Sequence, residues 1–412
     1  MLSTRHFALT ALSLAFILNL IGRGLGDSYM VFVLPLEQDF GWRRSAISSV
    51  YSIYMLATGF SSYWVGRLYD KYGPRLVYCG GVFCLGSAFL LAGSLTQLWQ
   101  FYTYIGVLAG IGVASLGTVP ATMLVSRWFR DNKNTAIAIL YAGFGAGTLI
   151  LVPLSQYFND WFGWRLTYRT FGFSLLILLP ALLLLPWRRL AGGLELEQTT
   201  SHSDKPPSPI KPMTVPEAIK TPQFWALSQT FFFTGMGMYI ILVQNVAFLI
   251  ETGVSPMTAA GAHGMAGMLS VFGVIATGVL ADRIGFKFSV TTSFVFSFIG
   301  LIALYLLSVE LSYVLLVVYV LFFGCAQGAR GPIIGGLSAI LFPSAGAVYG
   351  VVYACMSVGA ASGALISGVL YDVTGNYHAG FLLAATSFLL ALRPFWLSRV
   401  FNTAATHWLL FN

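Results

Sequence analysis

The stretch GRLYDKYGPR, residues 66–75, returns 212 residues later as GVLADRIGFK, residues 278–287. Both copies keep glycine at the first and eighth positions, leucine at the third, aspartate at the fifth and a basic residue at the sixth and tenth. The same offset carries Gly41 onto Gly253, Pro120 onto Pro332, Tyr141 onto Tyr353, Gly147 onto Gly359 and Gly163 onto Gly375. One constant shift over so much of the chain points to a duplicated unit.

Composition tells what was duplicated. The chain has 412 residues, 57% of them hydrophobic and 9% charged, whereas a soluble domain carries about 25% charged residues. Apolar runs of about 20 residues, each enough to cross a bilayer as a helix, recur throughout. Short alternating segments of the β-barrel kind do not occur. Twelve spans are predicted at 8–36, 46–66, 76–95, 99–126, 134–156, 168–187, 223–250, 258–280, 288–308, 312–340, 346–370 and 380–398. The first lacks a clear cleavage site and reads as a span, not a removed signal peptide. Between the sixth and seventh lies the one long polar segment, where Pro206, Pro207, Pro209 and Pro212 oppose helix. The expected organisation is a bundle over 1–190, a cytoplasmic linker over 191–221 and a second bundle over 222–412. The fold class is thus all-α membrane protein, with twelve transmembrane helices as two pseudo-symmetric six-helix bundles around a central cavity.

The net charge of +8 sits in loops of a membrane chain and does not indicate nucleic-acid binding. With the N-terminus inside, sixteen Lys and Arg fall on the cytoplasmic side and four outside: Arg43, Arg44, Arg165 and Arg169. The positive-inside rule then places both termini in the cytoplasm, with a bacterial inner membrane as the expected location. Cys79, Cys84, Cys325 and Cys355 fall in apolar segments without metal or disulfide spacing. No phosphate loop, nucleotide fingerprint, metal cluster or nucleophilic triad stands out, so neither an enzyme nor a cofactor is expected.

The repeated loop resembles the signature of the major facilitator superfamily, carried here by Gly66, Leu68, Asp70, Lys71, Gly73 and Arg75, and again by Gly278, Leu280, Asp282, Arg283, Gly285 and Lys287. FGWRRSAIS (40–48), RWF (127–129), FGWR (162–165), TPQFW (221–225) and YDVTGNY (371–377) resemble the bacterial monocarboxylate-porter and oxalate/formate-antiporter-like group. The resemblance implies rocker-switch alternating access, with spans 1, 4, 7 and 10 lining the cavity. It also implies a gating role for Gly66, Asp70, Arg75, Asp282 and Arg283; loop charge serving only topology is the plainer alternative. One departure stands out. Carboxylate transporters of this broad group commonly carry a basic residue in span eight and some in span eleven, but 270–278 and 348–368 contain neither Lys nor Arg.

Three full charges lie deep in spans: Arg23, Asp27 and Arg330. Each costs roughly 2.5–3.5 kcal/mol at a span centre on insertion scales, so each should face the bundle interior. Arg23 and Asp27 are four residues apart, on one helix face. They can form a self-neutralising pair, or Asp27 can exchange a proton. Gly22, Gly24 and Gly26 around them permit either a local helix break or close helix packing. Arg330 has no acidic residue in its own span, and either Asp27 or a cargo carboxylate is its expected partner. Two arginines against one aspartate leave +1, which favours an anionic cargo. His263 is a second proton candidate. Polar residues at repeat-related positions complete the candidate site: Tyr141 and Tyr353, Tyr239 opposite Asp27, Thr118 opposite Arg330, and Asn245 further along span seven. The expected function is secondary transport of a small organic anion, most simply a monocarboxylate, by proton symport or anion exchange. The alternative is an exporter of drug-like or neutral solutes. Expected partners are the cargo, protons as a candidate coupling ion and the lipid bilayer, with a monomer sufficient.

Overall fold

The computed structural model describes residues 4–129, 133–192, 215–342 and 346–397. Residues 193–214, most of the expected linker, lie outside them. Every regular element among the described residues is helical. A chain in hydrocarbon must satisfy its own backbone groups, and a helix does so within one segment.

In chain order the helices are α1 (Thr4–Asp27), α2 (Tyr29–Phe40), α3 (Arg44–Tyr72), α4 (Pro74–Ala92), α5 (Leu98–Phe101), a π-helical stretch (Tyr102–Ala109), α6 (Gly110–Leu116), α7 (Thr118–Ser126), α8 (Lys133–Leu184), α9 (Trp187–Gly192), α10 (Val215–Ala218), α11 (Pro222–Leu242), α12 (Asn245–Glu251), α13 (Pro256–Ile284), α14 (Phe286–Leu307), α15 (Tyr313–Leu341), α16 (Gly346–Thr374) and α17 (His378–Leu397). Among the described residues, ten stretches are long and apolar enough to cross a membrane. One of them, Ala142–Leu184, turns at Gly163 (φ 74°) and holds two spans. The more polar α3, with 29 residues, is roughly 44 Å long at 1.5 Å per residue and supplies the twelfth.

Sequence chemistry sets the ends. Pro74, Pro222 and Pro256 begin their helices where a missing N–H costs nothing. Thr221 and Ser255 accept the backbone N–H groups of Phe224 and Thr258. The turns rely on glycine with φ between 63° and 99°, at Gly41, Gly73, Gly163, Gly253, Gly285 and Gly375. These six positions form three pairs, each separated by 212 residues, so the repeat is written into the backbone as well as the sequence. L side chains rarely adopt such φ values.

Contacts divide the chain into two units: 1–41 with 53–206, and 42–52 with 207–412. The division departs from a plain split at the linker in one place. The segment 42–52, which carries the first turns of α3, goes with the second unit. Within the first unit α1 packs on α8; within the second α11 packs on α16. The two contacts use equivalent glycines. A methyl group on Gly147 would strike the carbonyl of Leu20, and one on Gly359 the carbonyl of Phe232. Leu20 and Phe232 are themselves 212 residues apart. Small residues at such crossings let helices approach where lipid offers no hydrophobic drive.

Candidate functional site

Among the described residues each unit has a polar node beside a helix break. The first lies where α1 ends. The four-residue spacing brings Arg23 Nε to 2.9 Å from Asp27 Oδ2. Thr148 of α8 donates to the same oxygen at 2.8 Å. The Arg23 guanidinium lies 5.9 Å from the centroid of the Phe144 ring. Just past Asp27 the helix is interrupted at Ser28, whose hydroxyl donates to the Leu25 carbonyl at 2.7 Å. The glycines have a different use from this break. A methyl on Gly24 would collide with Gly147, and one on Gly22 would press on Leu116 at 3.0 Å. They admit neighbouring helices, and the interruption falls at Ser28. Asp27 is almost fully buried, while the Arg23 side chain keeps 28% of its surface.

The second node surrounds the break between α11 and α12, at Val243 and Gln244. Asn245 opens α12, and its Nδ2 lies 3.0 Å from His263 Nδ1 and donates to Tyr319 Oη at 2.7 Å. With the amide donating, His263 Nδ1 accepts, and a neutral ring carries its proton on Nε2. All three side chains are buried. Asn245 and His263, proposed separately from sequence, therefore belong together. Tyr319 escaped notice because it sits in the run YVLLVVYVLFF with no repeat partner to mark it.

Arg330 is elsewhere in the second unit. Its Nε donates to Ser293 Oγ at 3.2 Å and its Nη2 to the Ser293 carbonyl at 2.9 Å, with a further bond to Ser297 Oγ. The guanidinium lies 4.0 Å from the Phe294 centroid and 5.3 Å from that of Phe388. The residue is 3% exposed. Its partners are thus neutral oxygens and two aromatic faces, on α14 and α17. Nη1 has no hydrogen-bond partner among the described residues.

The other expected residues are dispersed. Tyr239 is buried with its ring 5.9 Å from that of Tyr51. Tyr353 is half exposed beside Phe231 and Tyr349. Thr118 starts α7 after the interruption at Gly117, and its carbonyl accepts from Thr122 Oγ1 at 2.8 Å. In the repeated loops Gly66 is half-buried near the end of α3, and Arg75 and Arg283 are exposed. The side chains of Tyr141, Asp70 and Asp282 lie outside the described residues. Among the described residues no group of His, Cys, Asp and Glu could hold a metal ion.

The sequence model of the Major Facilitator Superfamily matches residues 12–348. The chain is 29% identical to monocarboxylate transporter 13 of Rattus norvegicus, across 92% of this chain and 85% of that protein. It is 33% identical to the uncharacterized MFS-type transporter YcxA of Bacillus subtilis (strain 168), across 38% of each. The fold is similar to the crystal structure of a bacterial homolog to the human lysosomal transporter Spinster, with a TM-score of 0.66, 16% identity and coverage of 98% of this chain and 96% of that one. A duplicated, twelve-span helical chain with that match along most of its length belongs to the Major Facilitator Superfamily: it is a multi-pass membrane transporter and not an enzyme.

Proposed function

We propose that this transporter carries a small organic anion, most simply a monocarboxylate, by alternating access, with Arg23 as the group that takes the cargo's carboxylate. The observation that carries this reading is the asymmetry of the first node. Asp27 is buried, but its partner Arg23 retains 28% of its side-chain surface. A guanidinium engages a carboxylate through two parallel N–H donors. In the mechanism, Asp27 holds Arg23 while the site is empty, and Thr148 shares the carboxylate oxygen that Arg23 bonds. The cargo competes with Asp27 for the guanidinium, and a proton on Asp27 would assist by removing its charge. Proton symport and anion exchange both follow from that competition. The names of the relatives support the same class of cargo. Arg330, held by Ser293 and Ser297, has a structural role in this reading. Asn245, His263 and Tyr239 remain candidates for polar contacts or proton handling in the second unit. The charged loops around Gly66–Arg75 and Asp282–Arg283 serve gating, and both termini lie on the cytoplasmic side of a cell membrane.

Uptake of radiolabelled lactate into proteoliposomes tests the reading, with unlabelled lactate and lactamide as competitors. Lactate should compete, lactamide should not, and Arg23→Ala should cut uptake about 100-fold. Equal competition by the amide, or full uptake by Arg23→Ala, would end the anion reading and favour a neutral-solute carrier.

A further inference from the structure

A cationic and aromatic surface that neither polar node uses lies where α14 begins and α17 ends, two helices of the second unit that pack together. Lys287, in the first turn of α14, places its Nζ 4.0 Å from the centroid of the Trp396 ring, in the last turn of α17. Trp396 Nε1 donates to Thr291 Oγ1 at 3.0 Å, and Thr291 Oγ1 donates to the Lys287 carbonyl at 2.8 Å. The Phe288 ring meets Trp396 edge to face, with centroids 6.2 Å apart. The indole is thereby fixed by its N–H, by a ring edge and by the ammonium. Arg393 stands three residues before Trp396, on the same side of α17, and is exposed. Among the described residues neither Lys287 nor Arg393 forms an ion pair.

Packing alone does not account for this surface. The first unit meets the same junction with Trp187, which follows its sixth span and stacks on Tyr78 of α4, the repeat counterpart of α14. Trp187 is 6% exposed, and its Nε1 donates to the Leu182 carbonyl. Trp396 is 49% exposed, and its ring meets a cation where Trp187 meets a phenol. An indole held half open at the end of a span sits at the depth of lipid headgroups. Lys287, bound to that ring, is brought to the depth of the phosphates and keeps N–H donors for an anion. Exposed apolar residues continue from there along both helices at intervals of seven: Phe288, Val295 and Ile302 on α14, and Trp396, Leu389 and Leu382 on α17. Seven residues make two helical turns with a drift of about 20°, so each series follows one side of its helix. Two apolar tracks that lead away from two cations match a double-chain lipid with a negative head. Basic sites between helix ends bind such headgroups.

We propose that Lys287, Arg393 and Trp396 form a binding site for one anionic phospholipid, whose phosphate rests on the two cations and whose acyl chains follow α14 and α17. This end of the unit carries the repeated loop and is the cytoplasmic end in the orientation proposed above. The site lies wholly within the second unit and stands whatever the cargo is. Native mass spectrometry of the purified full chain in neutral detergent tests it. The probes are palmitoyl-oleoyl phosphatidylglycerol, phosphatidylcholine with the same chains, and inorganic phosphate. The first phosphatidylglycerol should bind about tenfold more tightly than the first phosphatidylcholine, and excess inorganic phosphate should not displace it. Lys287→Gln combined with Arg393→Gln should erase that preference. Trp396→Leu should weaken phosphatidylglycerol binding about threefold, through the lost hold on the ammonium. Arg188→Gln combined with Arg189→Gln removes two exposed cations of the first unit and should leave the preference intact. Thermal unfolding in lipid-free detergent checks that each variant is folded. Equal affinity for the two lipids, or a preference that survives in the Lys287 and Arg393 double variant, would remove the site. An equal loss in both double variants would reduce it to general charge attraction, and displacement by phosphate would make it a site for free anions; either result overturns the lipid assignment.

Discussion

Arg23 and Arg330 look alike in the sequence, each a cation deep in an apolar span, yet the structure treats them differently. Arg23 has a full carboxylate at 2.9 Å and keeps 28% of its side-chain surface. Arg330 has only neutral oxygens and two aromatic rings for partners, and almost no surface. A buried charge therefore does not announce its use by its depth. What separates the two is access: the Arg23 guanidinium keeps open surface beside its carboxylate, and the Arg330 guanidinium is enclosed by α14 and the rings.

That contrast is broken most directly by removing each arginine. Arg23→Ala should lower kcat/KM for lactate about 100-fold, or roughly 3 kcal/mol, the scale for truncating one member of a buried charge pair. Arg330→Met should leave uptake per folded molecule within about twofold, because an apolar side chain can replace a buried ion at little cost. The reverse pattern in proteoliposome kinetics would return Arg330 to the binding site. The two units should otherwise answer alike where they pack alike. Gly147→Ala and Gly359→Ala force a methyl into equivalent backbones, and each should cost about 2 kcal/mol as overpacking. Thermal unfolding in detergent should show the two losses to be similar; a loss confined to one unit would mean that the repeat is not matched in packing.

The repeat was the most legible part of the molecule. Positions such as Gly41 and Gly253 paired in sequence because only glycine takes the turn each requires, so divergence could not erase them. The spans were readable for an equally blunt reason, since hydrocarbon tolerates little else. The site was less so. Side-chain direction around a helix was settled for Arg23 and Asp27 by their spacing, but not for Arg330, whose partners Ser293 and Ser297 lie on another helix. The Lys287 cluster was hidden for a different reason. Lys287 stood out only as the last residue of the repeated loop, and Trp396 only as part of an apolar span. Their contact depends on α14 packing against α17, which brings them together only after folding.

The arginine comparison is sharpened by touching the helpers and leaving the charges in place. Ser293→Ala removes one neutral acceptor from Arg330 and should cost about 1.5 kcal/mol of stability, as for a bond to a charged group. KM for lactate should not move, and a rise would connect α14 to the cargo.

Thr148→Val is the smaller and more pointed change. It removes the hydroxyl that shares Asp27 Oδ2 with Arg23 while nearly keeping the side chain's shape. A carboxylate deprived of one donor leans harder on the one that remains, so Arg23 is held more tightly when the site is empty. An incoming carboxylate then competes against a stronger partner. KM for lactate should rise about fivefold, equivalent to ~1 kcal/mol, the ordinary net worth of one hydrogen bond. A loss of thermal stability with KM unchanged would mean that Asp27 does not compete with cargo for Arg23, and the distinction between an accessible and a sequestered arginine would lose its functional content.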